Sequence, residues 1–128
     1  MKRVAIVSLA SVALVAAAGA TAVALTWDDE STRTGTCAAG VPYEFTVERD
    51  DDISDLVEIS FEVRTAEVGE VWTVSLTQDG EEILAGERLT DDEAELDIDA
   101  VAQDTDGATY TVTASSESGT TCDVSLTR

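Results

Sequence analysis

The sequence predicts an all-β fold, a seven-stranded β-sandwich that follows an N-terminal export segment. Three observations predict this class: apolar and polar residues alternate in short runs, turn residues separate the runs at regular spacing, and no run has the apolar period of an amphipathic helix. Seven alternating strands within about 90 residues favour two sheets packed face to face.

Each predicted strand has one apolar side that is expected to face the core. Asp79-Gly80 is a strong signal for a two-residue hairpin, because both positions tolerate positive φ. Residues 91–95 could form one helical turn, but they lack an apolar face. A short return strand is predicted at 82–85, with a second piece at 88–90, between the third and the fifth strand. The inward-facing sets of the other strands are Tyr43-Phe45-Val47, Val57-Ile59-Phe61-Val63, Trp72-Val74-Leu76, Leu96-Ile98-Ala100, Tyr110-Val112-Ala114 and Cys122-Val124-Leu126.

Residues 1–24 have the layout of a secretory signal or of an N-terminal membrane anchor. Lys2 and Arg3 precede an uncharged run, residues 4–25, in which Ala18-Gly19-Ala20 and Ala22-Val23-Ala24 are candidate cleavage sites. The run is also long enough to span a bilayer if it is not cleaved. Both alternatives predict an extracytoplasmic protein, either secreted or anchored at the outer face of the membrane. Residues 25–36 are predicted to be a polar linker, and residues 37–128 the sandwich domain.

The chain has two cysteines, Cys37 and Cys122. In an exported protein an even number of cysteines suggests a disulfide, and here only one intramolecular pairing exists. That bond would tie the start of the domain to its last strand. The alternative is a pair of buried thiols.

Two features of this pattern carry a family resemblance. Trp72 lies on the third strand, and Asp106-Gly107-Ala108-Thr109-Tyr110 precedes the sixth. The chain thereby resembles immunoglobulin-like and fibronectin type III-like sandwich domains, in the form found in exported bacterial proteins. The resemblance implies a Greek-key strand order, a buried Trp72, and a Tyr110 hydroxyl bonded back to the turn. Val112 stands where immunoglobulin domains place a cysteine, so the terminal disulfide would replace the bond between the sheets.

A second stretch, GEEILAGERLTDDEAELDI, is similar to a turn-and-strand run of transthyretin-like and pilin-type B domains. Ala94 stands where that family usually has glycine. The lysine–asparagine isopeptide bond of pilin-type domains cannot form, because the chain has no asparagine and its one lysine is Lys2. Both families are Greek-key sandwiches, so either resemblance implies the same architecture.

The residue inventory predicts that the protein is not an enzyme and carries no cofactor. The chain has no histidine, and its two cysteines cannot form a four-thiolate zinc site. Calcium is the alternative, because acidic residues cluster in two predicted turns. The run from Asp104 fails the EF-hand pattern, so a calcium site would have to join the turns. Its candidate ligands are Asp50, Asp51, Asp52, Asp104 and Asp106.

The formal net charge of −20 argues against nucleic acid and anionic lipid as partners. The chain would therefore contact a membrane only through residues 4–25, if they are retained. Under the usual immunoglobulin pairing, the first, second and fifth strands give one sheet an acidic outer face. The other sheet carries hydroxyls outside and is the predicted contact face, since hydroxyls cost less to desolvate than charges. Its residues are Thr73, Ser75, Thr77, Thr109, Thr111, Thr113, Ser125 and Thr127.

These observations favour a non-enzymatic interaction or structural module at the cell surface. Its partner would be a protein, a cell-wall glycan or another copy of the chain. The alternatives are a calcium-binding extracellular module and a small secreted inhibitor or accessory subunit of an enzyme.

Overall fold

The computed structural model describes residues 30–50, 52–53 and 55–128, together with the backbone of residues 23–26. This part of the chain is all-β, as predicted, and contains no α-helix. Its elements are β1 (Val23–Thr26), β2 (Glu30–Thr36), a 3₁₀ turn (Ala38–Gly40), β3 (Pro42–Arg49), β4 (Leu56–Arg64), β5 (Val71–Gln78), β6 (Glu81–Leu89), β7 (Glu95–Gln103), β8 (Thr109–Ser116) and β9 (Thr121–Thr127).

The strands form two antiparallel sheets. Sheet 1 has the order β1-β2-β3-β4-β7, and sheet 2 has the order β6-β5-β8-β9. The predicted partition of six strands is therefore correct: β3, β4 and β7 share one sheet, whereas β5, β8 and β9 share the other. The predicted fourth strand, β6, pairs with β5 at an edge of sheet 2.

The core lies between the inner faces of the sheets, where the alternating apolar residues meet as predicted. The ring centroids of Phe45 and Phe61 are 5.8 Å apart in an edge-to-face contact, a favourable geometry for aromatic pairs. The largest fully buried side chains come from both sheets: Trp72, Tyr110, Phe45, Phe61, Ile59, Leu76, Leu96, Val47, Val57, Val63, Val74 and Val112.

The predicted linker at residues 25–36 was wrong for most of its length, because residues 30–36 form strand β2. β2 pairs with β3 over seven residues, from Glu30 opposite Glu48 to Thr36 opposite Pro42. The polar sequence gave no alternation to detect, and the strand is specified by its pairing with β3. The predicted signal or anchor at residues 1–24 lies largely outside the described residues.

The return strand after Asp79-Gly80 is also longer than predicted. Asp79 and Gly80 have φ values of 51° and 86°, which confirms the tight hairpin. β6 runs without interruption from Glu81 to Leu89, so it covers both predicted pieces except Thr90, with a register shift opposite Leu76 and Thr77 and a glycine, Gly86, at φ 148°. Residues 91–94 form a turn, not a helical segment, and Glu95 begins β7.

The disulfide between Cys37 and Cys122 is present, as predicted. Cys37 precedes the 3₁₀ turn on the sheet 1 side, and Cys122 lies in β9 of sheet 2. The bond therefore joins the two sheets and closes a sequence separation of 85 residues. The Arg33 side chain on β2 reinforces this side of the sandwich by donating to the Ser125 carbonyl oxygen on β9, at 2.8 Å.

Within the described residues, the structure has no helix that is long and apolar enough to cross a membrane.

Candidate functional site: a hydroxyl face and acidic turns

The predicted contact residues come together on the outer side of sheet 2. We call this surface the hydroxyl face, defined as Thr73, Ser75, Thr77, Thr109, Thr111, Thr113, Ser115, Ser125 and Thr127. They face outward because their neighbours along each strand, such as Val74 and Val112, point into the core. Ser115 was not among the predicted contact residues, although its position in β8 follows the same alternation.

Cross-strand pairing makes the hydroxyl face continuous. Ser75 lies opposite Thr113, and Thr77 lies opposite Thr111. The hydroxyls of Thr109 and Thr127 are 2.8 Å apart, and those of Thr111 and Ser125 are 3.0 Å apart, so both pairs are hydrogen-bonded. These bonds between neighbouring strands order the side chains and fix the positions of the hydroxyl groups.

Charged residues lie at the margins of the hydroxyl face. On β6, Glu82 pairs with Thr77 and Glu87 pairs with Thr73, while Asp123 on β9 pairs with Thr113. At one end, Leu89 is 64% exposed and lies opposite Val71. The surface is therefore neutral at its centre, acidic along two sides and apolar at one end.

The outer side of sheet 1 is acidic, as predicted. Glu44, Glu62 and Asp97 are consecutive partners across β3, β4 and β7, and Glu48 lies opposite Glu58. Partial burial raises the pKa of Glu62, and the nearby carboxylates of Asp97 and Glu95 raise it further. The guanidinium of Arg64 opposes this shift and forms an ion pair with Glu95 at 3.4 Å.

The first predicted calcium turn is held by its own backbone. The Asp50 carboxylate accepts hydrogen bonds from the backbone N–H groups of Asp52 at 2.8 Å and Ile53 at 2.9 Å. These two bonds lower the pKa of Asp50, because they stabilise the carboxylate form. Asp52 is exposed, and Asp51 lies outside the described residues.

The second predicted calcium turn lies at the same end of the sandwich, because the backbone N–H of Asp104 donates to the Asp55 carbonyl oxygen at 2.8 Å. The Asp104 carboxylate, however, accepts from Arg49 Nε at 3.3 Å and from Arg128 Nη1 at 3.0 Å. Asp106 is exposed. The structure thus brings the two turns together and directs two guanidinium groups at the carboxylate that a cation would need.

Two further groups of carboxylates lie close together: Glu62, Glu95 and Asp97, and Asp91, Glu93 and Glu95. These groups were not among the predicted calcium ligands. The first group results from the pairing of β4 with β7. In the second, the Asp91 carboxylate already accepts from the backbone N–H groups of Glu93 and Glu95, so it stabilises the turn before β7.

The two predicted structural residues, Trp72 and Tyr110, are both buried, and each has a polar partner that the sequence analysis missed. Trp72 Nε1 donates to Glu70 at 3.0 Å, and Ser118 Oγ donates to the same carboxylate at 2.8 Å. Glu70 lies only two residues before Trp72, which is the one sequence signal for this contact.

The Tyr110 hydroxyl has a different hydrogen-bond partner from the one that the predicted tyrosine corner implies. Among the described residues it is hydrogen-bonded to Gln78 Nε2 at 2.9 Å, and not to the backbone of the turn. Gln78 Nε2 also donates to the Gln103 carbonyl oxygen at 2.7 Å, so it connects β5 and β7 to the tyrosine. Burial is the main factor that raises the pKa of Tyr110.

Comparison of the chain with protein-family models, curated proteins and solved structures finds no match.

Proposed function

We propose that the protein is a non-enzymatic, exported interaction module that binds a protein partner through the hydroxyl face. The observation that carries this proposal is the contrast between the faces: one has consecutive acidic rows, whereas the other has a neutral, ordered centre on β5 and β8. A partner that covers the neutral centre removes hydroxyls from water and leaves the acidic rows hydrated, which is the less costly arrangement.

Export is supported by the disulfide that joins the sheets, since such bonds persist in oxidising compartments. An immunoglobulin-like Greek-key arrangement is supported by the division of β3, β4 and β7 from β5, β8 and β9 and by the buried Trp72 and Tyr110. The resemblance to immunoglobulin-like domains concerns the architecture alone, so the proposed function rests on the chemistry of the surface.

Two properties of the surface favour a protein as the binding partner, rather than a glycan or a second copy of the chain. The five aromatic side chains among the described residues are all buried, so none gives a sugar ring an apolar surface on which to stack. The acidic margin of Glu82, Glu87 and Asp123 would repel the same margin on a second copy, and it complements a partner whose contact surface has basic residues at its edge.

The test is binding by the oxidised protein and two doubly charged variants. Ser75→Glu with Thr111→Glu places charges at the centre of the hydroxyl face. Ser60→Glu with Thr36→Glu adds the same charge at exposed positions of sheet 1. Each protein is immobilised and exposed to the extracytoplasmic fraction of its source cells; a retained partner is then purified and titrated.

We expect the face variant to bind the purified partner at least tenfold more weakly, and the sheet 1 variant to bind as the wild type does. Thermal melts establish that all three proteins are folded. Affinity should fall as salt rises, because a basic edge on the partner would be screened. Equal affinity of both variants would refute the proposal. If the partner is a hydrolase whose activity falls on binding, the module is an inhibitor that uses this face.

The contact proposal does not require calcium. A calcium ion at the two turns would have to compete with Arg49 and Arg128 for Asp104. Melts in calcium, in magnesium and in chelator at fixed ionic strength test this point, because an ion that binds only the folded state raises its stability. We expect no calcium-specific rise, and such a rise would make the calcium-binding module the better proposal.

A further inference from the structure

Strand β1 extends into the uncharged N-terminal run. The run covers residues 4–25, and β1 begins at Val23, so three of its four residues belong to both. β1 pairs with β2 from Val23 opposite Thr34 to Thr26 opposite Ser31. Cleavage after Ala24 would divide this strand and leave two of its residues on the domain.

The same strand bears on the alternative of a retained anchor. With Val23 in the sheet, the uncharged residues left for a membrane helix are 4–22, which is 19 positions. Such a helix is about 28 Å long, against about 30 Å for the hydrocarbon core. No residue would then separate the bilayer from sheet 1, and β1 would have to pair with β2 directly at the membrane surface.

We infer that the exported chain is cleaved before β1, after Ala20 or after Ala22, and that the mature protein is secreted and not anchored. Small residues at the first and third positions before the cut are provided by Ala18-Gly19-Ala20 and by Ala20-Thr21-Ala22. Both cuts leave β1 whole. In the reaction, the peptidase of the export pathway adds water across one peptide bond, which gives a carboxylate on the released segment and an α-amino group on Thr21 or Val23.

The inference rests on the proposed export, and its test uses the full chain from Met1 to Arg128. The chain is expressed in a bacterium that secretes proteins, and the intact mass of the product is measured in the cytoplasmic, membrane and extracytoplasmic fractions. We expect an oxidised extracytoplasmic product whose mass corresponds to a start at Thr21 or Val23.

Two single variants make the test specific. Ala20→Phe removes a small residue that both proposed sites need but leaves Ala22-Val23-Ala24 intact, whereas Ala24→Phe disables only the latter site. We expect Ala20→Phe to accumulate as precursor and Ala24→Phe to be processed at the wild-type position.

The outcomes separate this inference from the proposed function. An extracytoplasmic product that starts at Leu25, or an uncleaved oxidised chain in the membrane fraction, would overturn the cleavage site while leaving export intact. An uncleaved, reduced chain in the cytoplasm would overturn export itself, and with it the proposed function.

Discussion

At the scale of single residues, the contact between Glu70 and Trp72 shows how a buried carboxyl group is accommodated. The Glu70 carboxylate lies at the end of the core and accepts from the Trp72 indole N–H and the Ser118 hydroxyl. Glu70→Ala would leave both donors without this acceptor. We expect a loss of about 2 kcal/mol in the free energy of unfolding, measured by urea denaturation. Glu67→Ala, at an exposed position in the same loop, should change it by less than about 0.5 kcal/mol; equal losses would contradict this account.

Ala94 is a second residue whose effect on the free energy of unfolding can be tested. Its φ of 62° lies in the left-handed region, where an L-residue with a Cβ is strained and glycine is not. Ala94→Gly should therefore raise the free energy of unfolding by about 0.5 kcal/mol or more. Ala85→Gly, in the interior of β6, should lower it by a similar amount, because glycine weakens a strand. The same sign for both variants would show that the backbone of Ala94 is not strained.

At the scale of elements, the acidic row of Glu44, Glu62 and Asp97 predicts a pH dependence. Glu62 faces Glu44 on β3, Asp97 and Glu95 on β7, and Arg64 on its own strand. Because its pKa is raised on folding, the folded state holds the Glu62 proton more tightly than the unfolded state does. This group therefore adds stability as the pH falls through its raised pKa toward the unfolded value near 4.5.

Glu62→Gln removes that charge at every pH. We expect the variant to be more stable than the wild type by about 0.5 kcal/mol at pH 7, and the difference to shrink toward pH 4.5. Glu81→Gln, which removes a charge from an exposed position on β6, is the matched control and should show little change. Thermal melts at several pH values measure both, and a difference that grows on acidification would refute the prediction.

The comparison of β2 with β3 shows which elements can be predicted from sequence. β3 alternates Tyr43, Phe45 and Val47 with polar residues, so its inward face is evident. β2 presents Ser31, Arg33 and Gly35 on the equivalent side, and the Ser31 hydroxyl is buried without a hydrogen-bond partner among the described residues. A strand of this composition is stabilised by backbone pairing, which leaves no hydrophobic period in the sequence.

The candidate site likewise has one part that could be predicted from the sequence and another that could not. The hydroxyl face was predictable because it depends on alternation within β5 and β8, which are strongly patterned. The arginines at Asp104 and the Gln78 contact of Tyr110 were not, because they join residues 24 to 55 positions apart through chain folding. Local patterns identify which way a side chain points, but not which distant side chain it meets.

At the scale of the whole molecule, the disulfide is the main covalent constraint on the unfolded chain. A loop of about 85 residues corresponds to a stabilisation of about 4.5 kcal/mol on the chain-entropy model. Cys37→Ala with Cys122→Ala should lose about this much, measured by urea denaturation. Reductant should lower the stability of the wild type to the same level and leave the double variant unchanged; an effect on the variant would show that reductant acts elsewhere.

The position of the disulfide also determines how the molecule would respond to tension. A pull on residues before Cys37 and after Cys122 passes through the sulfur–sulfur bond and bypasses β3 to β8, which lie entirely inside the covalent loop. Only the flanking strands can be peeled away under load. Reduction would place the enclosed residues in the load path and allow about 300 Å of further extension at about 3.5 Å per residue. The oxidised module would thus act as a short link, whose extension under load is limited to its flanking strands, wherever it is held from both sides.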